Sequence, residues 1–159
     1  MVRTKDNGAQ EIVWKGARRM TGAHMFAMPH LRPIRIRIGA LGVERPDEEP
    51  LVSPSHRMLI QGDEAMALFK TPEILVMAKD LINCKTVIVN ETVPEVTYIH
   101  LLLSDHQILW PNGVETESFH PASAALTTLD ASDRKRLITR FPDLEFDPHT
   151  YGGSARRNL

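Results

Sequence analysis

Ile34, Ile36 and Ile38 alternate with Arg35 and Arg37. A period of two marks a strand with one dry and one wet face. Other short apolar runs carry the same signature along the first three quarters of the chain. Glu11–Trp14 reads as a strand closed by Gly16. Leu51-Val52 leads into a Ser-Pro-Ser-His turn, and His56–Ile60 reads as the next strand. Ile74–Met77 reads as a strand followed by one helical turn at Ala78–Leu81. Lys85–Asn90 is β-branched, and Glu95–Leu103 is the longest strand expected. His106–Phe119 reads as strand, Pro-Asn-Gly turn and strand, because Asn-Gly between apolar runs favours a hairpin. Gln61–Met66 carries hairpin-turn residues, and Val43–Pro50 is a polar loop.

The pattern changes after His120. Ala122–Pro142 is Ala-rich and helix-prone. Asp130 or Ser132 is placed to cap a helix over Asp133–Arg140, stopped before Pro142. The expected organisation is therefore an all-β region followed by a short helical or irregular tail, with Gly152–Leu159 mobile at its end.

Composition adds limits rather than a function. A chain of 159 residues with 42% apolar and 25% charged residues builds one ordinary core. The formal net charge of −1 gives no general attraction to nucleic acid or to an anionic membrane. One cysteine, Cys84, allows no internal disulfide and no cysteine-based zinc site. No apolar run is long enough to span a bilayer. The charged first twenty residues hold no signal-peptide pattern, so the expected compartment is the cytoplasm.

Several histidines are candidates for chemistry. His56 follows Ser53 by three residues. The plain reading is turn hydrogen bonding by Ser53 and Ser55 with His56 opening a strand. The catalytic reading is a buried imidazole that polarises a peptide bond and protonates a leaving amine. His100 and His106 flank Ser104-Asp105. They read as sheet-edge histidines or, together with His56, as a metal-dependent hydrolytic site, although no ligand motif is present. His24 and His30 sit in what reads as a mobile apolar loop, and His120 and His149 carry no signal. Cys84 reads as a small apolar filler before a strand, or as a lone nucleophile. No cofactor motif is present.

The ordered blocks "NGAQEIVWKGARR", "RPIRIRIGALG", "LVSPSHRMLI", "ILVMAKDLIN" and "VTYIHLLLSDHQILWPNGVETESFHP" resemble the Hint (hedgehog/intein) domain, in its bacterial branch common in α-proteobacteria. The resemblance covers about residues 7–122, with residues 123–159 as the tail. It implies an all-β Hint fold and an autoprocessing ancestry, in which a Thr-x-x-His block supports an acyl shift at the domain's first residue. Here "SPSH" matches that block, with Ser53 in the Thr position and His56 as the imidazole. His106 matches a recurring family position whose role the resemblance does not assign. Family members open with Cys or Ser in a Cys-Phe-x-x-Gly-Thr block, and no such block precedes Trp14. The expectation is a truncated relative, inactive alone, with an uncovered sheet edge and core. Its expected partner is a second copy or a chain that supplies the missing strands. The alternative is a non-catalytic β-module that binds a partner or itself through that edge.

Overall fold

The computed structural model describes residues 1–123 and 126–159. Two alanines of the Ala-rich run, 124 and 125, lie outside the described residues. The chain is β-rich, and its strands pair antiparallel. In chain order they are β1 (Val2–Arg3), β2 (Ala9–Gln10), β3 (Trp14–Thr21), β4 (Ile34–Ile36), β5 (Leu51–Val52), β6 (Arg57–Gln61), β7 (Glu73–Met77), β8 (Val87–Val89), β9 (Glu95–Leu102), β10 (Ile108–Leu109) and β11 (Thr116–Glu117). Among the described residues four short helices accompany them: α1 (Gly22–Ala27), α2 (Asp63–Phe69), α3 (Ala131–Arg140) and α4 (Asp143–Phe146). No helix among the described residues is long and apolar enough to cross a membrane.

The site rests on a four-stranded sheet in the order β10-β11-β6-β7. Both of its edges are engaged. On the β10 side Thr4 bridges Leu109, and Lys5 N–H donates to the Ile108 carbonyl at 2.8 Å. On the β7 side Leu75 N–H donates to the Arg157 carbonyl at 2.9 Å, and Leu159 N–H returns a bond to Leu75 O at 3.0 Å. The end of Gly152–Leu159, a segment expected to be mobile, thus lies along β7 from Arg157 to Leu159. Arg156 fastens it further by pairing with Glu73 and, at 2.8 Å, with Asp6. The open edge expected from the sequence is filled in this sheet, because backbone groups there find partners in both terminal segments.

The first two alternating isoleucines behave as their period requires, and the third does not. Ile34 and Ile36 of β4 are buried against Met58, Ala78, Val87 and Val114, while Arg37 and Ile38 already lie outside the strand and exposed. The Asn-Gly turn also forms, with Asn112 at φ 50° and Gly113 at φ 68°. Those paired left-handed values are what this dipeptide tolerates between strands.

Three local expectations change. In place of a strand over Glu11–Trp14, β3 begins at Trp14 and runs through Gly16 to Thr21 in register with all of β9. Gly16 continues the strand because the Trp14 indole folds across it, in space a Cβ would occupy. Gln61–Met66 is no hairpin turn: Asp63–Phe69 is helical, with Asp63 and Glu64 favouring the helix start and Ala65 buried against Ile60 and Ile74. The His24–Leu31 region is ordered, since Thr21 caps α1 in a reciprocal box with His24 and Met25 packs on Met20 and Tyr98.

The expected C-terminal helix forms as α3, with Phe141 as its last cap before Pro142. Leu137 and Leu144 join Trp14, Leu102 and Phe119 in one apolar cluster. Two α3 side chains also satisfy the outer backbone of β3. Ala17 N–H donates to Asp133 at 2.7 Å, and Arg136 donates to the Lys15 carbonyl at 2.9 Å. The tail therefore completes the β3–β9 ribbon.

Candidate active site

Val114 to Pro121 are all buried, although Glu115, Thr116, Glu117, Ser118 and His120 are polar. Burying polar groups is costly unless each finds partners. Those partners define the site.

The Ser53–His56 turn presents the first. His56 N–H donates to Ser53 O at 3.0 Å, and the turn is tied down by Lys79 N–H to Pro54 O and Ala78 N–H to His56 O. The plain turn reading therefore holds for the backbone. The imidazole does more: His56 Nε2 makes a very short contact with the Thr116 hydroxyl. That hydroxyl also donates to the Arg57 carbonyl at 2.9 Å. A carbonyl only accepts, so the hydroxyl proton is committed there and His56 Nε2 must carry the hydrogen toward Thr116. Among the described residues Nδ1 has no hydrogen-bond partner, so its lone pair is free. Among the described residues no hydrogen bond joins the Ser53 hydroxyl to His56, so Thr116 holds the ring. Thr116 was not singled out by sequence.

Glu117 is the charged centre. Its Oε1 accepts from Arg57 N–H at 3.2 Å and from the Arg57 guanidinium at 3.4 Å. Its Oε2 lies 3.4 Å from His106 Nε2. Burial pushes the Glu117 carboxyl up, but the nearby His106 ring and the charges of His56, Arg57 and His106 outweigh it and hold the carboxyl below its ordinary value.

His106 is fixed by backbone. Its Nδ1 accepts from Ala155 N–H at 2.9 Å, with Ser154 Oγ at 3.3 Å, and its Nε2 lies 3.1 Å from Ser118 O. A peptide N–H only donates, so Nδ1 is the bare nitrogen and Nε2 carries the hydrogen. His120, which carried no signal in sequence, packs edge-on against His106 at 4.9 Å and Tyr151 at 5.2 Å. His100 stacks at 5.2 Å on Phe119.

Burial lowers three of these imidazoles. It depresses His56, with Arg57 and His106 adding and Glu117 opposing. It takes His100 down to about 4, helped by the nearby His56 and Arg18 and opposed by Asp133 and Asp130. It lowers His120, with His106 adding and the Gly152 carbonyl opposing. For each, the folded state binds its proton at lower pH than the unfolded chain. Stability is therefore expected to fall as pH drops from the ordinary histidine value of 6.5 toward about 4. Urea midpoints at neutral and mildly acidic pH measure it. A constant midpoint across that window would mean the imidazoles are not buried neutral.

The structure does not assemble His56, His100 and His106 into the metal site that their sequence also allowed. Among the described residues no group of three or more His, Cys, Asp or Glu is placed to hold a metal ion. Cys84 is exposed in the turn before β8.

A family model described as the Hint domain matches residues 1–123. The chain belongs to the Hint domain family. The match takes in the Ser53–His56 turn, His100, His106 and the whole buried run from Val114 to Pro121. Residues from 124 onward, including Ser154 and Ala155, lie outside it. No curated protein and no solved structure matches the chain.

Proposed function

We propose that this Hint domain keeps the proton-transfer half of an autoprocessing centre, with His56 as its general acid–base. The observation that carries the reading is the contact of His56 Nε2 with a Thr116 hydroxyl already donating to the Arg57 carbonyl, which assigns the ring hydrogen to Nε2. Nε2–H is tied to Thr116, so Nδ1 is free to take the proton of an attacking thiol or hydroxyl. The sulfur or oxygen then bonds to the carbonyl carbon of the preceding peptide. The C–N bond breaks as His56 Nδ1–H returns the proton to the departing nitrogen, leaving a (thio)ester and a free amine. A burial-weakened imidazolium is a good donor for that return step. Glu117, 3.4 Å from His106 and in the field of His56, compensates the transient positive charge.

The nucleophile belongs to a Cys- or Ser-led block, and Cys84 does not supply it from its exposed turn. The chain by itself is read as inactive until such a block is joined to it or offered by a second chain. Ser53 is read as a turn-forming residue that closes on His56 through its carbonyl.

The test is a fusion carrying a Cys-led Hint block and a reporter ahead of this chain, followed by gel analysis of cleavage. Cleavage is expected in the parent fusion, and His56→Ala is expected to slow it by about 10²-fold or more. Thr116→Val is expected to slow it less, since the imidazole stays but loses its anchor. A His56→Ala fusion that cleaves at the parental rate would remove His56 from the mechanism. A parent fusion that never cleaves would sink the reading.

A further inference from the structure

We propose that the groove between the entry to β3 and α3 is a docking site for an extended, carboxylate-rich segment of a partner protein. One wall is Ile12, Val13, Trp14 and Lys15. The other is Lys135, Arg136, Thr139 and Arg140, around a volume of about 600 Å³. No acidic residue lines it. The chain as a whole is nearly neutral, at −1, so this concentration of cations is local.

The cations are not equally committed. Arg136 is held by Asp133 and by the Lys15 carbonyl. Lys15, Lys135 and Arg140 make no ion pair among the described residues, and Arg140 lies only over the Phe141 ring at 5.9 Å. The side chains here are donors and cations, and their complement is a row of acceptors with negative charge.

Two features favour a peptide over a nucleic acid. No aromatic face in the groove is open for base stacking, because Trp14 is only 5% exposed. Half-buried Ile12 and Val13 offer apolar contact between the charges instead, which suits an aliphatic side chain in an acidic segment. The chain's own acidic loop, Val43–Pro50, is a poorer occupant. It is folded back, with Asp47 N–H on Asn112 O at 3.4 Å and Gly39 N–H on Pro46 O at 3.4 Å, and Glu49 lies 3.9 Å from Arg35. This proposal does not rest on the acyl-shift reading, and none of its lining residues is assigned a role there.

The test uses the full chain and a fluorescein-labelled peptide of alternating Glu-Glu-Leu composition, read by anisotropy. Probes for comparison are the same peptide with every Glu replaced by Gln, and an oligothymidine of equal length. Lys135→Glu and Arg140→Glu change exposed groove residues. Arg134→Glu is the control, exposed on the same helix but outside the groove. The expected result is binding of the Glu peptide only, weakened about tenfold by either groove variant and by added salt, and little changed by Arg134→Glu. Urea midpoints confirm that the variants are folded. Four results would overturn the proposal: no binding of the Glu peptide, equal loss in the Arg134→Glu control, tighter binding of oligothymidine, or self-association of the unmodified chain that the groove variants abolish.

Discussion

Glu117→Ala is expected to cost about 3–5 kcal/mol of folding stability, since removing one partner of a buried ion pair strands the other. Arg57 is 8% exposed, and the Arg57 backbone N–H and guanidinium both bond to Glu117 Oε1. The Arg57 Nε has no partner already. With the carboxylate gone, a full positive charge stays in the sheet interior, and His106 Nε2 loses its neighbour. Urea unfolding of parent and variant gives the difference directly. Glu117→Gln separates charge from shape, because it keeps an acceptor for the Arg57 N–H while removing the anion. The pH dependence follows from the depressed carboxyl. Its contribution is complete above the ordinary carboxylate value of 4.5 and is lost only as pH falls through the lower folded value. The alanine variant should therefore lack that acid-range loss. A cost below about 1 kcal/mol would place the pair with weak surface bridges and would remove Glu117 as the centre of the site.

Trp14→Ala is expected to cost about 3–5 kcal/mol, the usual range for truncating a large buried aromatic. The indole is 5% exposed and packs 5.5 Å from Phe119. It also covers Gly16 and touches the cluster built from Leu102, Leu129, Leu137 and Leu144. It therefore stands where the ribbon of β3 and β9 meets the tail. Thermal melts followed by circular dichroism and by fluorescence of the remaining Trp110 check the result. Coincident melts at a lower midpoint are expected. A variant in which the two signals separate would mean that residues 126–159 come away from a ribbon that stays folded, and that Trp14 joins them less tightly than its burial implies.

The strands were legible where the sequence repeats with a clear period. Ile34 and Ile36 show it, and so does the Asn112-Gly113 turn, because both signals are local. The short helix at Asp63–Phe69 was not legible, since Gly62-Asp63 has the chemistry of a turn and of a helix start alike. Within the site, the tie between His56 and the turn at Ser53 was legible from spacing. Its partners were not. Thr116 and Glu117 look like exposed polar residues of a hairpin strand. They are buried only because Arg57 and His56 arrive from about sixty residues earlier. His120 beside Pro121 had no pattern at all, and its packing on Tyr151 depends on a tail that read only as helical or irregular.

The bond from Ala155 to His106 has a consequence for anyone who maps this protein by substitution. The group that selects which imidazole nitrogen stays bare is a peptide N–H, and every amino acid except proline carries the same one. Replacing Ala155 with serine, valine or glutamate leaves the donor in place, so a side-chain scan reads only how the new side chain packs on Leu59, Leu75 and Ile108. Such a scan is blind to the main chain there, which sets the chemistry of a buried histidine nearly fifty residues away.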